Sequence, residues 1–176
     1  LYTGNDTDRD IVNGIDLAGE GGLVWIKSRQ AAYQHMLVDS EYTLGAGSWE
    51  DTSTTSGSVG TVINTFNSDG FNLDSNWYGN SADAQYGGDY VSWTFRNSKK
   101  FFKAVTFSYS GSGASPTVVT HDLGCTVGMT FVKQTNGTQN WYVQHKDVTG
   151  TGNNGALNLT FPFTNDNGQS SSFTSI

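Results

Sequence analysis

The chain has 176 residues, with Asp and Glu totalling 16 against 9 Lys and Arg for a net charge of −7. It has no basic stripe to neutralise phosphates, so nucleic acid is not an expected partner. A single cysteine excludes an internal disulfide framework and a cysteine-rich zinc site, and no apolar run approaches the roughly 20 residues a helix needs to cross a bilayer, so membrane insertion is not expected either.

Glycines, 22 of them, together with Ser, Thr, Asn and Asp, separate short runs of aromatic and β-branched residues, and no window holds a helical period. The expected class is all-β, built as antiparallel β-sandwich units. At the start, Asn5-Asp6-Thr7-Asp8-Arg9-Asp10 carries the alternating acids of a calcium loop. The helix-loop-helix pattern requires Gly at the sixth position and an acid at the twelfth, where this chain has Ile11 and Leu17. Asp6, Asp8 and Asp10 are the candidate Ca2+ ligands, but a solvated turn is the expected reading, with no cofactor.

Strands are predicted over 23–27, 34–39, 62–66, 71–73 and 90–96. In the last, Val91, Trp93 and Phe95 alternate with Tyr90, Ser92 and Thr94, the pattern of a half-buried strand. The expectation is that Trp25, Trp93 and Phe131 point into the cores. Loops at 45–60 and 79–88 are long for hairpin turns, and long loops on a rigid scaffold often bind ligands. Trp49 and Tyr86 lie in them, and Trp77 and Tyr78 at the entry to the second, among Gly, Asn and Ser; these four are the candidate ligand-binding residues, whose flat rings could stack on a sugar face. The same rings could instead fold back as a lid on the core.

Residues 101–109 place Phe101, Val105, Phe107 and Tyr109 on one face, too apolar for a loose linker. Strands are then predicted at 118–121, 129–133, 141–145 and 156–161, and Cys125 is expected to be a small buried thiol. No nucleophile elbow, zinc-protease or phosphate-loop motif is present. His35, His121 and His145 could in principle meet, but each reads as structural, and the chain is not expected to be an enzyme.

The chain also repeats. Leu17, Leu23-Val24-Trp25-Ile26-Lys27 and His35 return as Leu123, Met129-Thr130-Phe131-Val132-Lys133 and Trp141 at a constant offset of 106 (123 − 17). Residues 1–108 are read as one complete β-sandwich unit and 109–176 as a second, truncated copy. Nothing in the second matches the strand at 90–96. The chain is therefore expected to belong to a longer polypeptide, with that strand supplied by further sequence or a neighbouring chain, and 109–176 alone is expected to be unstable.

Tyr2-Thr3-Gly4-Asn5 and Tyr109-Ser110-Gly111-Ser112, then His121-Asp122-Leu123-Gly124, the strands ending in Lys27 and Lys133, and Trp141-Tyr142-Val143-Gln144-His145 resemble a repeated domain of unknown function in virion proteins of tailed phages, especially marine ones. Ser68-Asp69-Gly70-Phe71 and Tyr90-Val91-Ser92-Trp93 are similar to segments near the end of each unit in that family. The resemblance implies concanavalin-like (laminin-G-like, jelly-roll) sandwiches on a tail fibre, head fibre or decoration protein, with adhesion to a host. It implies a virion-surface or extracellular location, and as partners other virion proteins, copies of itself or a host cell-surface glycan. It brings no catalytic residues. A carbohydrate-binding, lectin-like module of a secreted or viral protein is the alternative.

Overall fold

The computed structural model describes residues 1–32, 35–41, 50–51, 61–75, 77–85, 88–108, 118–134, 142–146, 156–158 and 164–165. The fold is all-β, and every strand pairing among the described residues is antiparallel. The first sheet has the order β1 (Tyr2–Thr3), β8 (Asp89–Arg96), β3 (Gly22–Ser28), β4 (Met36–Asp39), β5 (Glu50–Asp51). The second runs β2 (Arg9–Val12), β7 (Gly70–Leu73), β6 (Ile63–Asn67), and the third β12 (Thr164–Asn165), β11 (Ala156–Asn158), β10 (Tyr142–His145), β9 (Met129–Val132).

Helix is confined, among the described residues, to two four-residue turns, α1 (Leu17–Glu20) and α2 (Trp77–Asn80). No helix there is long and apolar enough to cross a membrane. The first turn is set by local chemistry: the Asp16 carboxylate caps it by accepting from the Gly19 N–H at 2.7 Å. Gly21 ends it at φ 70°, a left-handed conformation that favours glycine.

The first two sheets bury side chains in one cluster. Tyr2, Val24, Ile26, Met36, Val38 and Tyr90 come from the five-stranded sheet, and Ile63, Phe71 and Leu73 from the three-stranded one. Leu17 of α1 and Val62 complete it. Within it Tyr2 and Tyr90 stack with centroids 5.3 Å apart and planes 13° from parallel. Their hydroxyls are satisfied, as buried polar groups must be: Tyr2 donates to the Gly79 carbonyl at 2.6 Å, and Tyr90 accepts from the Ser81 N–H at 3.2 Å. Burial, and next the neighbouring Tyr90, push the Tyr2 hydroxyl far above the usual phenol range, with Arg9 opposing them.

Two glycines of the sequence motifs have steric reasons. A Cβ on Gly4 would lie 2.5 Å from the Ser81 carbonyl carbon. One on Gly70 would run into the Ile11 carbonyl oxygen, and Gly70 leads directly into Phe71, whose ring is wholly buried.

The described strands differ from the expected ones in places. Residues 118–121 form no strand, and the join at 101–108 carries an isolated bridge from Phe102 to Ser98. β1 and β2 arise in the stretch read as a solvated turn and its flanks. Cys125 is exposed rather than buried, because it lies in the open turn before β9.

The larger correction concerns faces. Trp93 and Phe131 are each 44% exposed, and Trp25 is only half-buried, whereas Val24, Ile26 and Tyr90 are fully buried. The aromatic set of β8 is thus on the outer face. Strict alternation states that two faces differ, not which one meets the core. Here the inner face is taken by Tyr90, whose ring stacks on Tyr2 and whose hydroxyl has a partner, with Thr94 accepting from the Asn13 amide at 2.9 Å.

One relationship spans both ends of the chain. β3 pairs with β4 through Leu23–Asp39, Val24–Val38, Trp25–Leu37 and Ile26–Met36. β9 pairs with β10 through Met129–His145, Thr130–Gln144, Phe131–Val143 and Val132–Tyr142. Each rung of the second ladder is a rung of the first displaced by 106 residues (129 − 23). The burial agrees: Leu37 and Val143, opposite Trp25 and Phe131, are 6% and 1% exposed.

Candidate functional site

The outer face of the five-stranded sheet gathers aromatic and titratable groups. The register sets Trp25 beside Trp93 on one side and Leu37 on the other, with Leu23 beside Phe95 and Lys27 beside Val91. The Trp25 and Trp93 rings meet edge to face, centroids 5.5 Å apart at 61°. Beyond Phe95, the rings of Phe102 and Phe101 follow at 5.7 and 6.4 Å.

His35, just before β4, completes the row. The Trp25 indole Nε1 donates to His35 Nδ1 at 2.8 Å, and the rings lie 5.4 Å apart at 62°. Nδ1 can accept only on a neutral ring, which puts the proton on Nε2. Burial, and next the Lys27 charge, hold His35 below the usual histidine range. Lys27 donates to the Ser28 and Ala31 carbonyls at 2.8 and 3.1 Å, and burial lowers its ammonium from the usual lysine range. The arrangement presents a flat apolar ring fixed by its neighbours, bordered by an imidazole and an ammonium. Such a surface can stack on a flat ligand and hydrogen-bond its rim.

The sequence candidates fare unevenly. Trp49, Tyr86 and the side chains of Trp77 and Tyr78 lie outside the described residues; the backbone of the latter two forms α2. Asp6, Asp8 and Asp10 are directed apart. Asp6 accepts from Ala82 N–H at 3.2 Å, Asp8 from Ser75 N–H at 2.7 Å, and Asp10 from the Asn67 and Asn72 amides at 3.1 and 2.8 Å. They tie the N-terminal segment to the second sheet and the 75–82 stretch. Among the described residues no three His, Cys, Asp or Glu side chains gather as a metal site. His121 accepts, at 3.4 Å, from the Leu123 N–H within its own turn, far in sequence from His35.

The sequence pattern alone sends Trp25 and Trp93 to the core and so does not reveal the Trp25–Trp93–His35 group. The signal available was Lys27, which shares a strand face with Trp25 and Leu23: a lysine in the alternating set marks that face as the one reaching water.

A concavity of about 380 Å³ opens between Gly14, Ile15, Thr94, Arg96, Ser98 and Phe101; it holds no comparable cluster of titratable groups. No curated protein and no solved structure matches the chain. A family model described as "Domain of unknown function (DUF7483)" matches residues 1–175, and the chain belongs to that family.

Proposed function

We propose that the chain is a non-catalytic structural module of a virion surface, part of a tail fibre, head fibre or decoration protein, and that it adheres to host-surface glycan through the outer face of its five-stranded sheet. The observation that carries the adhesive reading is Trp93, 44% exposed yet held edge to face on Trp25. A ring already fixed by packing loses little freedom on binding, and pyranose rings offer apolar faces for it to stack on. The virion reading is supported by the order and spacing of the motifs similar to tailed-phage structural domains.

On this reading the chain is organised as tandem concanavalin-like, jelly-roll sandwich units, 1–108 and 109–176, with other virion proteins or copies of itself as neighbours. The 106-residue displacement between the two hairpin ladders supports that organisation. The lectin-like alternative, a carbohydrate-binding module outside any particle, rests on the same tryptophan. Immunogold labelling with antibody against the chain distinguishes them. Labelled appendages on purified particles are expected; unlabelled particles together with retained glycan binding would favour the lectin-like module.

A further inference from the structure

The two corresponding hairpins differ in what lies beside them. β3 is flanked by β4 and by β8, which pairs with it along its whole length from Gly22–Arg96 to Ser28–Tyr90. β9, its equivalent, pairs among the described residues with β10 only and so ends the order of its sheet there.

Backbone parity makes the comparison specific. Antiparallel ladders alternate bonded and non-bonded pairs. Ser40 N–H bonds the Gly22 carbonyl at 2.9 Å, and Lys146 N–H bonds the Gly128 carbonyl at 2.8 Å; these are again positions displaced by 106 (146 − 40). Leu23 and Trp25 therefore turn their N–H and C=O groups away from β4, towards β8, which receives them. Met129 and Phe131 turn theirs away from β10, and among the described residues no strand receives them. Their side chains, 46% and 44% exposed, occupy the places of Leu23 and Trp25. The edge Met129–Val132 contains no proline and no charge, the usual devices that keep an edge from pairing.

We propose that the edge of β9 that no described strand covers is a docking site for one extended segment of β8 type, carried by another polypeptide and added antiparallel to β9. The occupant is specified by the first hairpin: an alternating strand like Asp89–Arg96, with its Val91, Trp93 and Phe95 equivalents on the face of Met129 and Phe131. Transferring the β3–β8 register gives the rungs: Met129 opposite the position of Phe95, Thr130 opposite Thr94, Phe131 opposite Trp93 and Val132 opposite Ser92. Main-chain hydrogen bonds would supply affinity and the aromatic row specificity.

The test is site-resolved amide hydrogen exchange on the full chain, with and without a capped peptide of the sequence of residues 89–96. Without peptide, Thr130 and Val132 should be protected by β10 while Met129 and Phe131 exchange freely. Peptide should slow Met129 and Phe131 by about tenfold or more and leave Thr130 and Val132 nearly unchanged. A peptide carrying Trp93→Pro lacks an N–H that faces β9 and should give no protection; the protein itself is unaltered in that arm. Phe131→Pro in the chain should abolish the effect while Thr130 stays protected. Protection of Met129 and Phe131 in the dilute chain alone would show the edge already covered and overturn the proposal. Protection that rises with protein concentration without peptide would replace it with self-pairing, and no response to the peptide would refute it.

Discussion

The indole Nε1 of Trp25 donates a 2.8 Å hydrogen bond to Nδ1 of His35, and that bond requires a neutral imidazole. Protonation would turn Nδ1 into a donor facing another donor. The bond therefore couples the aromatic row to pH.

His35 is held below its ordinary value of 6.5 by burial and by Lys27, so the unfolded chain binds this proton more readily than the folded one. The stability linked to His35 is fully present above the unfolded value and is lost as pH falls through the lower folded value. Urea midpoints measured at successive pH values should decline below about 6.5. In His35→Gln that part of the decline should disappear; an unchanged profile would remove His35 as its source.

The core and the outer face should respond very differently to truncation. Phe71 is fully buried, and Phe71→Ala should cost about 3–5 kcal/mol. Trp93→Ala removes an exposed ring whose edge-to-face contact is worth about 0.5–1.5 kcal/mol. Equal losses in denaturant titrations would mean that Trp93 belongs to the core after all.

Tyr2→Phe keeps the stacked ring but strips the buried Gly79 carbonyl of its donor. The expected loss is about 1–3 kcal/mol, read as a lower urea midpoint at unchanged slope. A neutral substitution would show that water replaces the hydroxyl.

Gly70→Ala would drive a methyl into the Ile11 carbonyl where β2 and β7 pair. It should cost about 1–3 kcal/mol, as for other overpacked sites. A stable Gly70→Ala chain would show that the two strands can separate locally without loss.

How much of this was legible in the sequence follows from which physical signal each feature leaves. β3, β4, β7 and β8 were readable because their runs alternate or are continuously apolar between turn residues. β1 and β2 were not, because Tyr2-Thr3 is too short to show a period, and the acids of Arg9–Val12 and the preceding turn suggested a solvated loop. Their strand conformation comes from tertiary pairing with β8 and β7. The α1 turn needed only the Asp16 cap and Gly21, signals too local to stand out. The outer aromatic row was legible as a set but not as a surface, since Trp93 and Tyr90 are both large rings on one strand. Choosing between them required knowing that Tyr2 stacks on Tyr90 from 88 positions away in sequence (90 − 2). The repeat was the most legible feature, because a constant offset survives changes such as Trp25 to Phe131, where size and apolarity are kept.

On this reading the outer row is an adhesive surface centred on the edge-to-face Trp25–Trp93 pair, of which Trp93 is the more exposed ring. The most direct measurement is a titration of the intact chain and of Trp93→Ala with host-surface polysaccharide, with far-ultraviolet circular dichroism confirming that the variant is folded. Saturable binding by the parent chain, weakened about tenfold or more by Trp93→Ala, is the expected result. Equal binding by both, or no binding by the parent chain, would contradict it.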